Sequence, residues 1–405
     1  MKILYVIHQF YPDFYSGTER VAGNIADMVQ KIGNIVKFVT YSPKHNISDG
    51  ERFGNITYKD YMFGKIPVTE FYTEDEDLFF NVNLVNERLY DFAKMILEKE
   101  KPDVVHVMHP MRVGIFAKVA QDMGIKTVIT VTDLMYICSR VIMCNEKSEL
   151  CCSAKDGKEC DLVCSGTGKS HRERLLQAEM LLKKADCVTT PSSFIAGMVK
   201  AELNGVEALV VRHGVDVVGT KKAIYNKNDK LTFAFVGSIQ KHKGVHLFVE
   251  NAMKVKSSNV AFKLYGDYNN PYGEALIKRA KKDKRIVFEG KFEKKEALGV
   301  YEGCDVLVVP SQCYESYSMV KNEALSAGVP VIVADLGALP EGIEHKKNGF
   351  VFDASKQNSL CEIMEEIVSN PTILNDVKEE MKKIFVPIKE QEAFKYCSIY
   401  KNIKE

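Results

Sequence analysis

The sequence predicts an α/β protein made of two doubly wound, Rossmann-like domains, and three observations carry that expectation. A chain of 405 residues exceeds one ordinary α/β core, so two domains of roughly 200 residues each are expected. Short β-branched runs alternate with amphipathic stretches from the start, the pattern of a parallel sheet covered on both faces. The alternation then begins a second time near Leu231.

In the first half the strand-like runs are Ile3 to Ile7, Ile35 to Thr40, Val104 to Met108, Thr127 to Val131 and Cys187 to Thr190. Helical periodicity lies between them, at Glu19 to Ile32 and at Val82 to Lys99, the latter stopping at Lys101-Pro102. The second series has strand-like runs at Thr232 to Val236, Ala261 to Tyr265, Ile286 to Phe288, Val306 to Val309 and Val331 to Ala334. Between the two series, His213-Gly214-Val215-Asp216, Lys221-Lys222 and Asn226-Lys227-Asn228-Asp229 make a polar, turn-rich linker. The expected domains are therefore residues 1–215 and 216–384, with a C-terminal helix at about 385–405 packing back on the first. Open sheets of this kind bind ligands at the carboxyl ends of their strands. Two such ends facing each other across a cleft would let one ligand bridge both domains.

Composition removes several function classes. Hydrophobic residues are 46% and charged residues 27% of the chain, which excludes a disordered or collagen-like protein. Lys plus Arg number 55 against 54 Asp plus Glu, so overall charge does not select for nucleic acid, and any bound anion must be held locally. Met1 to His8 runs directly into motif-bearing sequence, as a first strand does and a signal peptide does not. No apolar stretch reaches the roughly 18 residues that span a bilayer. Cytoplasmic residence is expected, with peripheral contact to a membrane left open.

The segment Tyr314 to Ala334 is the most informative. It follows one strand, ends a helix at Gly328-Val329-Pro330 and enters another strand. A helix starting near Ser318 would aim the amides of Ser318, Met319 and Val320 at the crevice, where a diphosphate could accept from them. Glu315 would precede that helix and Glu323 would follow about two turns later; carboxylates are natural acceptors for the diols of a sugar or ribose. A second strand-to-helix segment, Phe235 to Val245, supplies Gly237, whose backbone can approach a ligand, and Lys243, a point charge for phosphate. In the first domain the strand-to-helix loop Tyr15 to Arg20 contains Gly17, and two later strands end at His109-Pro110 and at Thr132-Asp133. Strand-terminal residues line the crevice in this architecture, which makes His109 and Asp133 candidates for the acceptor side.

These residues resemble those of family four retaining glycosyltransferases, which have the GT-B fold. Glu315 and Glu323 match that family's Glu-x7-Glu signature, and the flanking Ala324-Leu325-x-Ala327-Gly328-x-Pro330-Val331 matches its context. The resemblance implies that Glu315 contacts the transferred sugar and that Glu323 binds the ribose hydroxyls. Lys243-Gly244 match the end of a Gly-Arg-x4-Lys-Gly phosphate clamp that starts at Gly237, with Ser238 standing where the arginine belongs. Gly17 retains one glycine of a Gly-Gly pair, and Asp133 retains the aspartate of a His-Asp pair whose histidine is replaced by Thr132. Gly266-Asp267 and Val287 to Phe292 resemble the segments that hold the donor base.

The implied donor site is Gly17, Gly237, Ser238, Lys243, Phe292, Glu315, Ser318, Met319, Val320 and Glu323. The implied catalytic group is Lys243, Glu315, Asp133 and His109. The donor would be a nucleotide-diphosphate sugar and the acceptor a hydroxyl on a glycan, a lipid-linked intermediate or another molecule, as in polysaccharide or glycoconjugate assembly. Transfer would proceed with retention and without a metal or other catalytic cofactor. The Ser238 and Thr132 departures motivate a rival, a nucleotide-sugar-binding protein impaired in catalysis.

Six of the 11 cysteines lie between Cys138 and Cys164. Thiolates of Cys138, Cys151, Cys160 and Cys164 would close a tetrahedral structural zinc site and order a polar loop that lacks a core. Packing and redox chemistry are the alternatives.

Overall fold

In a computed structural model the chain divides into two compact units, Met1–Gly214 together with Ile388–Glu405, and Val215–Pro387. The structure describes residues 1–42, 47, 49–75, 82–145, 147, 149–164, 171–216, 219 and 224–405. The Lys221-Lys222 part of the expected linker lies outside the described residues.

The first unit begins with β1 (Lys2–Ile7), α1 (Gly17–Lys31) and β2 (Ile35–Tyr41). It continues through β3 (Glu51–Phe53), β4 (Ile56–Phe63), β5 (Ile66–Thr73), α2 (Tyr90–Glu100), β6 (Val104–Val107), α3 (Ile115–Asp122) and β7 (Lys126–Thr130). Then follow α4 (Lys158–Val163), α5 (His171–Lys184), β8 (Cys187–Thr190), α6 (Ser193–Glu202) and β9 (Leu209–Val210). The sheet order is β3-β4-β5-β2-β1-β6-β7-β8-β9. Residues 3–7 of β1 are all 0% exposed, which is why this strand reads as one apolar run and not as an alternation. Helix α1 buries Val21, Ala22, Ile25, Ala26, Met28 and Val29, and Gly33, with φ of 102°, turns the chain back toward β2.

Two features of this unit depart from expectation. Residues 56–73 form an antiparallel hairpin whose strands close through a two-residue turn at Gly64-Lys65, with φ of 58° at the glycine. Its strands alternate buried and half-exposed positions, so they lack the long apolar runs that mark the parallel strands. Helix α2 starts at Tyr90 instead of Val82, because the Asn86 side chain accepts from the Arg88 amide (3.2 Å) and opens a single 3-10 turn there.

The second unit contains β10 (Leu231–Val236), α7 (Val245–Lys254), β11 (Val260–Tyr265), α8 (Pro271–Ala280), β12 (Ile286–Gly290) and α9 (Ala297–Glu302). It is completed by β13 (Val306–Val309), α10 (Met319–Ser326), β14 (Val331–Ala334), β15 (Phe350–Phe352), α11 (Ser359–Ser369) and α12 (Ile373–Met381). All its strand pairings are parallel, in the order β12-β11-β10-β13-β14-β15. That is the doubly wound 3-2-1-4-5-6 order, whose winding reverses between the first and fourth strands, here β10 and β13. In the first sheet the same reversal falls between β1 and β6. Both points are where ligands are expected.

The last helix, α13 (Lys389–Lys404), belongs to the first unit. Its Tyr400 hydroxyl lies 2.9 Å from the Tyr5 hydroxyl and 2.6 Å from His106 Nδ1, and His106 Nε2 meets Thr130 Oγ1 at 2.7 Å. Tyr396 bonds to Thr130 and Thr189 (3.1 and 3.2 Å), while Glu392 accepts from His213 (2.8 Å) and the Gly214 amide (2.7 Å). His106 is thus a core residue, held neutral by burial with its pKa pushed down to about 3. Tyr400→Phe is expected to destabilise the first unit by about 1–3 kcal/mol, because buried Tyr5 and His106 both lose a partner. A urea titration checks this, and an unmoved first-unit transition would remove the network from what holds α13.

Candidate active site

The second unit's winding reversal gathers most of the residues singled out from the sequence. The loop after β10 and the loop after β13 are zipped together by the Gln312 amide, which donates to the His242 carbonyl (2.8 Å). Gly244 has φ of 68°, and a Cβ there would fall 1.8 Å from the Pro310 carbonyl oxygen, so only glycine permits this approach. Gly266 is similarly tight, with a hypothetical Cβ 2.0 Å from the Gly237 oxygen.

This closeness brings Lys243 to Glu315 with an Nζ to Oε1 distance of 2.7 Å, and Ser311 Oγ donates to the same oxygen at 2.6 Å. Burial works against both charges and their proximity outweighs it. Glu315 stays below the ordinary carboxylate range, helped also by Ser311, and Lys243 stays above the ordinary lysine range. His242 next to them is pushed down, by burial first and by Lys243 second.

Ser318 caps α10 with φ of 62°, a left-handed conformation that costs a non-glycine residue about 1–3 kcal/mol. The bend sends the chain from the Glu315 loop straight into the helix. Ser318, Met319 and Val320 therefore head α10, where the first amides have no carbonyl partner within the helix and the dipole is positive. One turn further, Glu323 is 4% exposed and accepts from the buried Tyr301 hydroxyl at 2.6 Å. Tyr301 was not a sequence candidate, since a lone tyrosine in α9 carries no pattern of its own. Phe292 is half-buried, edge-on to Tyr265 with ring centroids 6.0 Å apart. Ser238 is exposed beside Gly237 and presents no cation.

At the first unit's winding reversal, the His8 and His109 rings lie 3.9 Å apart. His109 has both nitrogens engaged: Nδ1 accepts from the Met111 amide (3.3 Å) and Nε2 meets Asp133 Oδ2 (3.1 Å). Asp133 Oδ1 accepts from the Met135 amide (2.9 Å). Burial raises the Asp133 pKa, but His109 opposes it and the net shift is downward. Thr132 turns inward, its hydroxyl donating to the Met108 carbonyl (3.2 Å). His8 Nδ1 is buried with no hydrogen-bond partner among the described residues, so His8, more than His109, carries uncommitted capacity. Its pKa is driven well below 6.5 by burial, then by His109 and Arg112. Behind it, fully buried Glu19 accepts from Gln9 (3.0 Å) and from the Ser16 hydroxyl. Gly17 starts α1 at an exposed position. His8 and Glu19 gave no sequence signal beyond their place beside a strand end and a helix start.

Cys138, Cys151, Cys160 and Cys164, the zinc ligands expected from the sequence, lie near one another in the first unit. Among the described residues no group of three or more His, Cys, Asp and Glu side chains is placed to hold a metal ion. The thiols are electrostatic neighbours, and burial followed by that proximity pushes Cys160 up to about 12, where it stays protonated at neutral pH. Arg174, 6% exposed, adds order by donating to the carbonyls of Val82 (2.9 Å), Tyr136 (3.4 Å) and Met135. His171 to Asp161 (2.7 Å) and the Ala154 amide to Glu202 (3.0 Å) add to it.

Comparison with known proteins agrees with this geometry. Residues 219–384, nearly all of the second unit, match the family described as Glycosyl transferases group 1. A protein of Klebsiella pneumoniae described as an uncharacterized 41.2 kDa protein in the cps region is 30% identical over 196 residues, covering 46% of this chain and 53% of that protein. The chain thus spans about half the length of the first curated relatives it matches. Sucrose-phosphate synthase from Thermosynechococcus elongatus superposes with a TM-score of 0.69 at 16% identity, covering 100% of this chain and 99% of that one. HepE from Anabaena, solved with UDP and glucose, gives 0.66 at 16% identity, covering 98% of each chain. The fold is GT-B, and residues 219–384 are similar to the glycosyl transferases group 1 family. Among the described residues no helix is long and apolar enough to cross a membrane.

Proposed function

We propose that this chain is a retaining glycosyltransferase that moves a sugar from a nucleotide-diphosphate donor to a hydroxyl acceptor without a catalytic metal. The carrying observation is the part-buried Lys243–Glu315 pair beside the opening of α10 at the second unit's winding reversal. There an ammonium and helix amides offer positive potential to a diphosphate, while Glu315 offers acceptor oxygens to the attached sugar. Glu323, steadied by Tyr301, takes the ribose. As the bond from the anomeric carbon to the phosphate oxygen breaks, negative charge grows on the leaving diphosphate, and Lys243 and the amides stabilise it. The acceptor oxygen bonds to the same carbon on the same face, and its proton passes to the departing phosphate oxygen. We assign the acceptor side to Asp133, His109 and His8 of the first unit. Gly17, Gly237, Ser238, Phe292, Ser318, Met319 and Val320 complete the proposed donor set.

A role in polysaccharide or glycoconjugate assembly belongs to the same reading and rests on the family resemblance, while the proposed cytoplasmic residence rests on the sequence pattern of the N-terminus. UDP-glucose is the first probe, because the HepE structure holds UDP and glucose. The test is proton NMR of the product formed from UDP-glucose, ADP-glucose and GDP-mannose, with water or a sugar acceptor, in the presence of EDTA. Product of unchanged anomeric configuration is expected. Inverted product, or activity abolished by EDTA, overturns the mechanism. Tight nucleoside diphosphate binding without turnover supports the impaired binding protein that the Ser238 and Thr132 departures suggest.

A further inference from the structure

Lys321 is the least expected residue of the second unit. It lies in the first turn of α10, where the helix dipole disfavours a cation, and it is only 3% exposed. A buried ammonium persists only where its donors are used. Nζ of Lys321 donates to the carbonyls of Ala338, Leu339 and Glu341, each at 3.2 Å, and so gathers the loop that follows β14.

That loop in turn touches Glu315. The Ala338 amide donates to the Glu315 carbonyl at 2.9 Å. Gly337, with φ of 62°, lies so close that a Cβ would sit 2.9 Å from both the amide nitrogen and the carbonyl oxygen of Glu315. The loop is therefore held between Lys321 on one side and the Glu315 backbone on the other, while the Glu315 carboxylate holds Lys243 and Ser311. A residue that defies the local preference of its helix yet is fully used by tertiary contacts is what a functional constraint produces.

We propose that Lys321 is a positioning residue: through the loop at 336–341 it sets the backbone of Glu315, and so the placement of the Glu315–Lys243 pair. This rests on the donor-site reading for its catalytic consequence, though not for its geometry. Lys321→Met removes the ammonium at similar length, Lys321→Arg keeps a cation, and Gly337→Ala presses on Glu315 from the loop side.

Carbon-13 NMR titration of glutamate-labelled protein reads the Glu315 carboxyl directly, assigned by Glu315→Gln. In Lys321→Met its pKa is expected to rise as Glu315 leaves Lys243, with recovery in Lys321→Arg and a rise in Gly337→Ala. In turnover of UDP-glucose, kcat of Lys321→Met is expected to fall ~10-fold or more, as small misplacements of reacting groups do, while the UDP dissociation constant stays within about threefold. An unmoved Glu315 titration in Lys321→Met and Gly337→Ala overturns the proposal, as does an equal loss of UDP affinity and kcat. A shifted titration in a protein whose parent turns over none of the nucleotide sugars leaves the positioning role standing and sinks the transferase reading instead. If Lys321→Met does not fold, Gly337→Ala carries the same measurements.

Discussion

Lys243→Ala is expected to lower kcat by about 10²–10³-fold, the usual consequence of removing one preorganised donor from a site of developing negative charge. Donor affinity should fall much less, because the ground-state diphosphate retains the amides of α10, whereas the charge that grows on the leaving group meets Lys243 most strongly in the transition state. The 2.7 Å contact with Glu315 means that the substitution also strips a part-buried carboxylate of its cation. In the parent, Lys243 and Ser311 overcome burial and hold Glu315 below the ordinary carboxylate value. The stability this lends is present above the unfolded carboxyl pKa of about 4.3 and is lost as pH falls through the lower folded value. Without Lys243 burial acts with less opposition, so the Glu315 pKa should climb and the acid limb of the kcat profile should move to higher pH. Steady-state kinetics across pH 4 to 8 reads both effects, and a kcat within about twofold of the parent removes Lys243 from the catalytic group.

The second large effect concerns Glu323→Ala, which is expected to weaken nucleoside diphosphate binding by about 1.5–3 kcal/mol, or roughly 10- to 150-fold in dissociation constant. Glu323 is buried in α10 with one oxygen accepting from Tyr301 at 2.6 Å, so its carboxylate is held in one place before any ligand arrives. Preorganisation of this kind is what lets one charged acceptor contribute so much to a ribose contact. Removing the carboxylate also leaves the Tyr301 hydroxyl in a buried setting, so the thermal midpoint should be recorded alongside calorimetric UDP binding. Unchanged UDP affinity in a folded variant would falsify the ribose assignment. The Tyr301→Phe variant distinguishes the carboxylate from its support, since it should lose only part of the same affinity.

Much of this protein was legible without coordinates. The strands β1, β2, β6, β10, β13 and β14 announce themselves because strands covered on both faces are predominantly apolar, and that constraint is local. The Glu315 to Pro330 stretch was equally clear: a strand end, a helix start and a glycine stop follow from neighbouring residues, and Glu315 and Lys243 lie in the loops that follow β13 and β10. The hairpin β4–β5 was missed because its strands alternate buried and half-exposed positions, and because β5 joins the parallel sheet only through its tertiary pairing with β2. The cysteine cluster stands out in the sequence, whereas Arg174 does not, because its carbonyl partners lie 38, 39 and 92 residues away in the chain. Distance in sequence hides Lys321 and Tyr301 in the same way, as well as the close approach of the His8 and His109 rings. Sequence alone determined which residue types stand at the ends of which strands, since local pattern dictates secondary structure. Only the tertiary structure decided which of those side chains are already bonded to one another and which remain open, because hydrogen bonding among buried groups is settled by folding and not by spacing along the chain.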